Sequence, residues 1–145
     1  MSLLLLAAIA TVTAPQPTTV HSVNLDHRGT AYQVDYRAHV ETKTRTIGLA
    51  PSARTSTQQC VIAANVTIER VIGTGANAHA LKTILPGSEK FTRNLPGNCN
   101  GRDDQIAKLV SDKAQAISAH AAQLAATDRQ NTIAAIDSAH SFAAN

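Results

Sequence analysis

Residues 32–46 read YQVDYRAHVETKTRT and alternate strictly between two kinds of side chain. Aromatic, aliphatic and threonine side chains take the even positions, and charged, amide or histidine side chains take the odd positions. A period of two is typical of a β-strand with one face in the core and one in water, whereas a helix would scatter both sets around its circumference. We therefore predict a strand of about 15 residues, long enough that we expect a bend or bulge, with its threonine-rich end leaving the core.

A second long strand is predicted over residues 57–72, after a loop that contains Pro51. Apolar side chains again recur at every second position on one face, namely Cys60, Ile62, Ala64, Val66, Ile68 and Ile72. The opposite face is half apolar, which predicts a central strand that is partly covered on both sides. Two long strands joined by a loop of about ten residues should pair antiparallel.

Shorter elements are predicted on either side of this pair. Residues 20–25 predict a short strand, and residues 26–29, Asp-His-Arg-Gly, predict a type I turn after it. Beyond a flexible turn at residues 73–77, residues 80–85 predict another short strand. Leu-Pro-Gly occurs at residues 85–87 and again at 95–97, and Pro-Gly favours a type II turn at each site. Residues 89–94 between the two turns are compatible with an exposed edge strand or with a loop.

From residue 102 onward the sequence becomes rich in alanine and predicts helix. One apolar stripe recurs at helical spacing, and it consists of Ile106, Leu109, Val110, Ile117 and Leu124. The acidic pair Asp103-Asp104 suits the positive end of a helix dipole and indicates where the helix begins. The stripe loses its phase near Asp128, so we predict a break there and a short second helix.

Together these elements predict an α+β fold in which residues 15–145 form a single domain. The sheet would occupy residues 18–99 and the helical part residues 102–143. The antiparallel sheet would have three to five strands and be dominated by the two long ones. One or two C-terminal helices would pack on one face of that sheet, and one disulfide would close the fold.

The chain has two cysteines, Cys60 and Cys99, and two interpretations of them are open. They form no C-x-x-C pair and have no zinc-like spacing with histidine, so in an exported protein they predict one disulfide. By the chain-entropy estimate, closing a loop of about 40 residues stabilises a fold by about 4 kcal/mol. The alternative is a pair of buried free thiols.

Residues 1–14 predict a signal peptide and therefore a periplasmic or secreted protein. Met1 and Ser2 are followed by the apolar run LLLLAAIA and then by small residues up to Ala14. That run is too short to span a bilayer, which takes about 20 residues, so the cleaved protein would not span the membrane. Two features differ from a usual signal peptide: basic residues are missing before the apolar run, and Pro15 directly follows Ala14. Translation from an upstream start would explain both. The alternative is a buried N-terminal strand or helix.

Charge and composition limit the classes of partner. The net charge is +3, and aromatic residues make up only 3% of the chain, which leaves few anchors for large ligands or interfaces. Basic residues prevail over residues 15–102 and acidic residues over residues 103–145. This split indicates either attraction between the two parts or a weakly basic face for an anionic envelope surface. Nucleic acid is not expected as a partner, because no dense basic run is present.

No arrangement of residues predicts catalysis, a cofactor or a metal site. The histidines are scattered without metal-ligand spacing and are interpreted as surface residues: His21, His27, His39, His79, His120 and His140. No serine lies in a G-x-S-x-G elbow, and Gly73 and Gly75 lack the lysine of a phosphate loop. Asp35 and Glu41 share a strand face but lie about 20 Å apart, which is too far for a glycosidase pair.

Three stretches carry a resemblance: GTAYQVDYR at residues 29–37, VETKTRTIG at residues 40–48, and LPGNC at residues 95–99. Here the chain resembles a group of small uncharacterised exported proteins of alphaproteobacteria. The resemblance covers residues 29–99. It implies a periplasmic address and no known activity, and it transfers no functional residue to this chain.

Three functions are open from the sequence. Export, the disulfide and the lack of a catalytic motif favour a non-catalytic cell-envelope protein that supports or binds another component, such as another envelope protein. The alternative is a small hydrophobic ligand-binding protein with a pocket between sheet and helix, lined by Tyr32, Val34, Tyr36 and Ile62. A second alternative is an enzyme without a recognisable motif, which would need a buried histidine beside a carboxylate in a cleft.

Overall fold

The computed structural model of the protein describes residues 16–74 and 80–144. The predicted signal peptide, the end of the predicted turn at residues 73–77 and His79 lie outside these residues. The described chain forms four strands and two helices: β1 (Thr18–His27), β2 (Thr30–Ile47), β3 (Gln59–Gly73), β4 (Leu81–Pro96), α1 (Asp103–Asp112) and α2 (Ala114–Ala143). The predicted α+β fold is thereby confirmed.

The strands form one antiparallel sheet in the order β1-β2-β3-β4, so every strand pairs with its neighbour in sequence. β2 and β3 pair over nearly their whole length, from Gln33 opposite Gly73 to Ile47 opposite Gln59. This is the predicted pair of long antiparallel strands. Because the register matches the alternation of both strands, it places the apolar positions of β2 and β3 on one face.

Both helices pack on that apolar face, as the sequence predicts. The main core lies between it and α2, and it includes Val34, Tyr36, Val66, Ile68, Ile117 and Ile136. The charged row of β2 lies on the other face. The outward residues of β3 there are half-buried by the flanking strands, apart from exposed Gln59 and buried Val71. β3 is thus a central strand, as predicted, and its outer face is partly covered by the neighbouring strands, with no described helix over it.

A two-residue turn joins β1 and β2, where the sequence predicts a type I turn over residues 26–29. His27 pairs with Thr30, so the turn consists of Arg28 and Gly29, which have φ of 52° and 76°. Positive φ at both positions is typical of a type I′ turn, whose backbone twist matches that of the strands it joins. The twist of the hairpin therefore overrides the preference of the four residues for a type I turn.

β4 is a single strand, although the sequence predicts a turn inside it at Leu85-Pro86-Gly87. Residues 85–87 lie opposite Ile68 alone, where the register against β3 shifts. The shift inserts two extra residues into β4 as a bulge, in which Gly87 has φ of 97°. Pro86 lacks an N–H, and it is tolerated because β4 is an edge strand. The second Leu-Pro-Gly sequence does end the strand, with φ of 87° at Gly97.

The sequence predicts a break in the helical part near Asp128, and this prediction is wrong. The break lies at Lys113, between α1 and α2. α2 runs without interruption and buries a row of residues at spacings of three and four: Ile117, Ala121, Ala125, Asp128, Thr132 and Ile136. At 3.6 residues per turn this row drifts around the helix by about 100°, because α2 crosses a twisted sheet. The drift and the two polar members of the row together explain why the apolar stripe loses its phase.

The predicted disulfide joins Cys60, at the start of β3, to Cys99, in the loop between β4 and α1; their Cα atoms are 4.9 Å apart. Cys60 has no exposed surface and belongs to a second, smaller core cluster with Ile62, Ala64 and Leu109. Leu109 is the one buried residue of α1. The disulfide therefore holds α1 over the end of β3, where only this small cluster packs it.

Ion pairs connect the basic sheet to the acidic helices. In each pair an arginine of a strand or turn meets a helical aspartate: Arg70 and Asp128 at 2.8 Å, Arg93 and Asp112 at 2.7 Å, and Arg28 and Asp137 at 3.0 Å. The charge split in the sequence thus corresponds, at least in part, to attraction between the two parts of the chain.

Candidate functional site

A cluster of polar side chains lies buried between β2, β3 and α2. Its members are Tyr36, Arg70, Asp128 and Thr132, each less than a tenth exposed, and we call it the buried polar cluster. The Nη1 atom of Arg70 donates to Oδ2 of Asp128 at 2.8 Å and to Oγ1 of Thr132 at 3.3 Å. The Tyr36 hydroxyl also faces Oδ2 of Asp128, at a longer distance of 3.5 Å. The cluster connects the two long strands to the middle of α2.

The local sequence explains how these polar groups reach the core. Arg70 occupies an inward position of β3 between Ile68 and Ile72, so the pleat directs its side chain toward α2. Asp128 and Thr132 are four residues apart in α2 and therefore lie on the same face of the helix. The Thr132 hydroxyl contacts both the backbone carbonyl oxygen and the carboxylate of Asp128, at 3.1 and 3.2 Å.

The two opposite charges of the cluster are paired, but not every hydrogen-bond donor in it has a partner. Burial raises the pKa of the Tyr36 phenol above its ordinary value, so the phenol stays protonated and can donate toward Asp128. The Nε atom of Arg70 has no hydrogen-bond partner among the described residues. A buried charge without its partner costs several kcal/mol, so Arg70 and Asp128 strongly constrain the position of α2 on the sheet.

A cavity of about 220 Å³ lies beside the cluster, between the β1–β2 hairpin and α2. We call it the hairpin–helix pocket, and it is lined by His21, Val23, Leu25, Val34, Tyr36, Ala122, Ala125, Ala126, Arg129 and Thr132. The almost fully buried Val34, Tyr36 and Thr132 mark its inner end, whereas the exposed Val23 and Arg129 mark its opening. Six of the ten lining residues are aliphatic, so the pocket offers mainly apolar surface.

The four residues predicted to line one pocket are divided by the structure. Val34 and Tyr36 line the hairpin–helix pocket, whereas Tyr32 lines a different cavity, near the C-terminal end of α2. There the Tyr32 hydroxyl lies 2.7 Å from Nε2 of His140. Ile62 has no exposed surface and packs under α1 with Cys60. Both residues are therefore absent from the hairpin–helix pocket, because Tyr32 lies farther along α2, beside His140, and Ile62 is covered by α1.

The histidines of the described chain do not assemble into a metal site. His27 lies 2.8 Å from Asp137, and His39 lies 3.3 Å from Glu69 on the outer face. The register places His21 beside Tyr36, with their ring centroids 6.0 Å apart, and not beside His39. No group of three or more histidine, cysteine, aspartate or glutamate side chains in residues 16–74 and 80–144 is arranged to hold a metal ion.

Sequence reasoning missed both Arg70 and Asp128, although each leaves a signal. Arg70 interrupts a row of apolar residues in a buried strand, and Asp128 sits at the point where the helical stripe loses phase. A cation and an anion that each break an apolar row are candidates for a buried pair. The two residues lie in distant segments of the sequence. They can be predicted to pair only once β3 and α2 are known to face each other.

Neither helix in the described part of the chain combines the length and apolarity that a membrane span requires. No protein-family model, no curated protein and no solved structure matches the chain. The hairpin–helix pocket and the buried polar cluster therefore have to be interpreted from their own geometry.

Proposed function

We propose that the protein is a non-catalytic binding protein that holds a small apolar molecule in the hairpin–helix pocket. The observation that carries this proposal is the cavity itself, which has mostly aliphatic walls and lies next to the buried ion pair of Arg70 and Asp128. Small-molecule sites in proteins are concave and mostly apolar, with a few polar groups that fix orientation. The pocket has this composition, since only His21, Tyr36, Arg129 and Thr132 contribute polar atoms.

The size of the pocket limits the ligand. An apolar cavity of about 150 Å³ in another protein binds benzene, so a cavity of about 220 Å³ suits a molecule of roughly eight to ten non-hydrogen atoms. A larger ligand such as haem or a dinucleotide would have to leave most of its atoms outside the pocket. The pocket therefore supports a short aliphatic chain or a single substituted ring.

Three alanines of α2 create the space. Ala122, Ala125 and Ala126 face the hairpin, where longer side chains would fill the cavity. The pair Arg70 and Asp128 joins this part of α2 to β3, and α2 contacts β1 on either side of the pocket, through Ser118 and Val20 and through Asp137 and His27. An apolar surface that is held open in this way can gain free energy when a ligand covers it, at about 25 cal/mol per Å².

We further propose that this binding takes place outside the cytoplasm, in the periplasm or after secretion. The disulfide supports this part of the proposal, because such bridges form and persist in oxidising compartments. The predicted signal peptide and the resemblance to exported alphaproteobacterial proteins favour the same location. Binding to another envelope protein, or to an anionic envelope surface, stays a prediction from the sequence.

The test is an NMR titration of the full ¹⁵N-labelled protein with neutral apolar probes of graded size, namely toluene, 1-octanol and 1-dodecanol. We expect saturable amide shifts around residues 21–25 and 122–132 for the two smaller probes and a weaker response to the longest. The variant Ala126→Leu fills the opening from an exposed position, and we expect it to weaken binding about tenfold.

The matched control is Ala119→Leu, which makes the same change at an exposed position of α2 that does not line the pocket. It should bind the probes as the unchanged protein does. Shifts that never saturate, or equal affinity in both leucine variants, would show that the hairpin–helix pocket is not a binding site.

A further inference from the structure

We infer that the ligand of the hairpin–helix pocket is a small amphiphilic carboxylate, held with its apolar part inside and its carboxylate against Arg129 at the opening. This inference rests on the proposed function and adds the chemical class of the ligand. It is carried by the charge of the pocket lining, by the unpaired state of Arg129, and by the way the polar groups at the inner end are already engaged.

The ionisable lining of the pocket is entirely of the kind that can carry positive charge, apart from the tyrosine at the inner end. Arg129 and His21 line the pocket, and no aspartate or glutamate does. The nearest carboxylate along α2 is that of Asp128, which is turned inward and bound by Arg70. An anion at the opening would therefore meet a cation without a competing carboxylate, which is the arrangement that favours binding of negative charge.

Arg129 differs from the arginines that connect the sheet to the helices. Arg28, Arg70 and Arg93 each form an ion pair with an aspartate. Arg129 forms none within the described ranges. The residues three and four positions away in α2 are Ala125, Ala126, Thr132 and Ile133, so no acidic neighbour on the helix surface can occupy its guanidinium. Its planar group remains available for two parallel hydrogen bonds to a carboxylate.

The inner end of the pocket sets the orientation of the ligand. The hydroxyls of Tyr36 and Thr132 lie there, but both already contact Asp128. The rest of the inner surface comes from Leu25, Val34 and Ala125. A carboxylate placed there would lose its hydration without gaining a free donor, which is strongly unfavourable. The apolar part of the ligand therefore lies inward, and the charged end remains at the solvent-exposed opening.

His21 is the second polar group near the opening. It is half-buried on β1, across the pocket from α2, and its ring lies beside the ring of Tyr36. A ring nitrogen of His21 can donate a further hydrogen bond to one of the carboxylate oxygens that Arg129 binds, because each carboxylate oxygen has two acceptor sites. The two side chains come from opposite walls of the pocket, so a bound carboxylate would bridge β1 and α2.

The test compares octanoate with 1-octanol, which have the same carbon chain and differ in their end group. Affinities are measured by NMR titration of the full protein at low ionic strength. Without a cation at the opening, octanoate would bind more weakly than octanol, because a carboxylate is costlier to desolvate. We expect octanoate to bind about tenfold more tightly than octanol, and we expect added KCl to reduce this preference because salt screens the exposed charge.

The deciding variant is Arg129→Gln, with Arg54→Gln as the matched control in the exposed loop between β2 and β3. Arg129→Gln should remove the preference, measured as the ratio of octanoate affinity to octanol affinity within the variant, whereas Arg54→Gln should leave that ratio as it is in the unchanged protein. If octanol binds but octanoate is no better, or if Arg129→Gln leaves the preference intact, the carboxylate inference fails and the pocket proposal stands. If neither probe binds, the pocket proposal itself fails.

Discussion

Arg70 in β3 and Asp128 in α2 form an ion pair across the core, with 2.8 Å between Nη1 and Oδ2 and with side chains that are only 6% and 8% exposed. Removing one partner leaves the other charge buried and unpaired, so we expect Arg70→Met to lower the free energy of unfolding by about 3–5 kcal/mol. Urea denaturation followed by far-UV circular dichroism measures this loss.

The double variant Arg70→Met/Asp128→Leu removes both charges and should recover much of that loss, because an apolar pair of similar volume is often as stable as a buried ion pair. The exposed pair of Glu41 and Lys43, with side chains 65% and 76% exposed, provides the control. Glu41→Gln should cost no more than about 1 kcal/mol. An equally small loss in Arg70→Met would contradict the role assigned to the buried pair.

Because the buried phenol of Tyr36 must stay protonated, the free energy of unfolding should fall at alkaline pH. Because burial raises the pKa of its phenol in the folded state, the unfolded chain releases this proton at a lower pH than the folded chain does. The stabilisation is complete below about pH 10, the ordinary pKa of tyrosine, and is lost as the pH rises through the raised pKa. We expect the urea concentration at the midpoint of unfolding to fall as the pH rises above about 10.

Tyr36→Phe identifies the source of this alkaline loss. The chain contains two tyrosines and no tryptophan, so absorbance near 295 nm follows the two phenols without interference. The variant should lose less stability between about pH 9 and pH 11 than the unchanged protein, and the later part of the absorbance change should disappear. Parallel pH profiles of stability for the two proteins would rule out the contribution of Tyr36.

The disulfide should contribute a large share of the stability. Replacing both cysteines with alanine removes the link across residues 60–99, and we expect a loss of up to about 4 kcal/mol, since the unfolded chain regains the entropy of an open loop. Equilibrium urea denaturation gives the loss, and mass spectrometry after alkylation counts free thiols. A native protein that takes up alkyl groups at both cysteines, or a loss below about 1 kcal/mol, would contradict this expectation.

Gly48 is required by the loop that follows β2. It has φ of 89°, and an added Cβ would overlap the carbonyl oxygen of Thr57. Gly29 has a similar φ of 76° but open space around it. We expect Gly29→Ala to lose roughly 1 kcal/mol from the left-handed backbone alone and Gly48→Ala to lose clearly more, because the loop backbone must also move. Thermal melting compares the two variants, and equal losses would show that the close approach to Thr57 does not matter.

The long strands could be predicted because their signal is local. In residues 32–46 each side chain indicates its face by its own polarity, and the pairing with β3 follows from one short loop. The bulge in β4 could not be predicted, because the dipeptide Pro86-Gly87 suits a turn equally well. Only the need to keep Leu85 inside the core and the edge position of the strand decide in favour of the bulge.

The candidate site was harder to predict for a related reason. Val34 and Tyr36 could be assigned to a pocket because they lie on the apolar face that any helix would cover. Ile62 shares that face, and its distance from the pocket depends on where α2 crosses the sheet, which the sequence does not specify. Considered alone, a charged residue such as Asp128 is expected on the surface. Its burial is explained only by its ion pair with Arg70 on the facing strand.

The two extra residues in β4 also affect how the protein meets other copies of itself. A second chain that approached this edge could extend a regular hydrogen-bond ladder only as far as Pro86, where a donor is missing and the backbone bends. Beyond that point the strand carries Glu89, Lys90 and Arg93, and in-register stacking would place each of these charges against its own copy. The irregularity in the outermost strand therefore acts as a barrier to fibre growth from that edge.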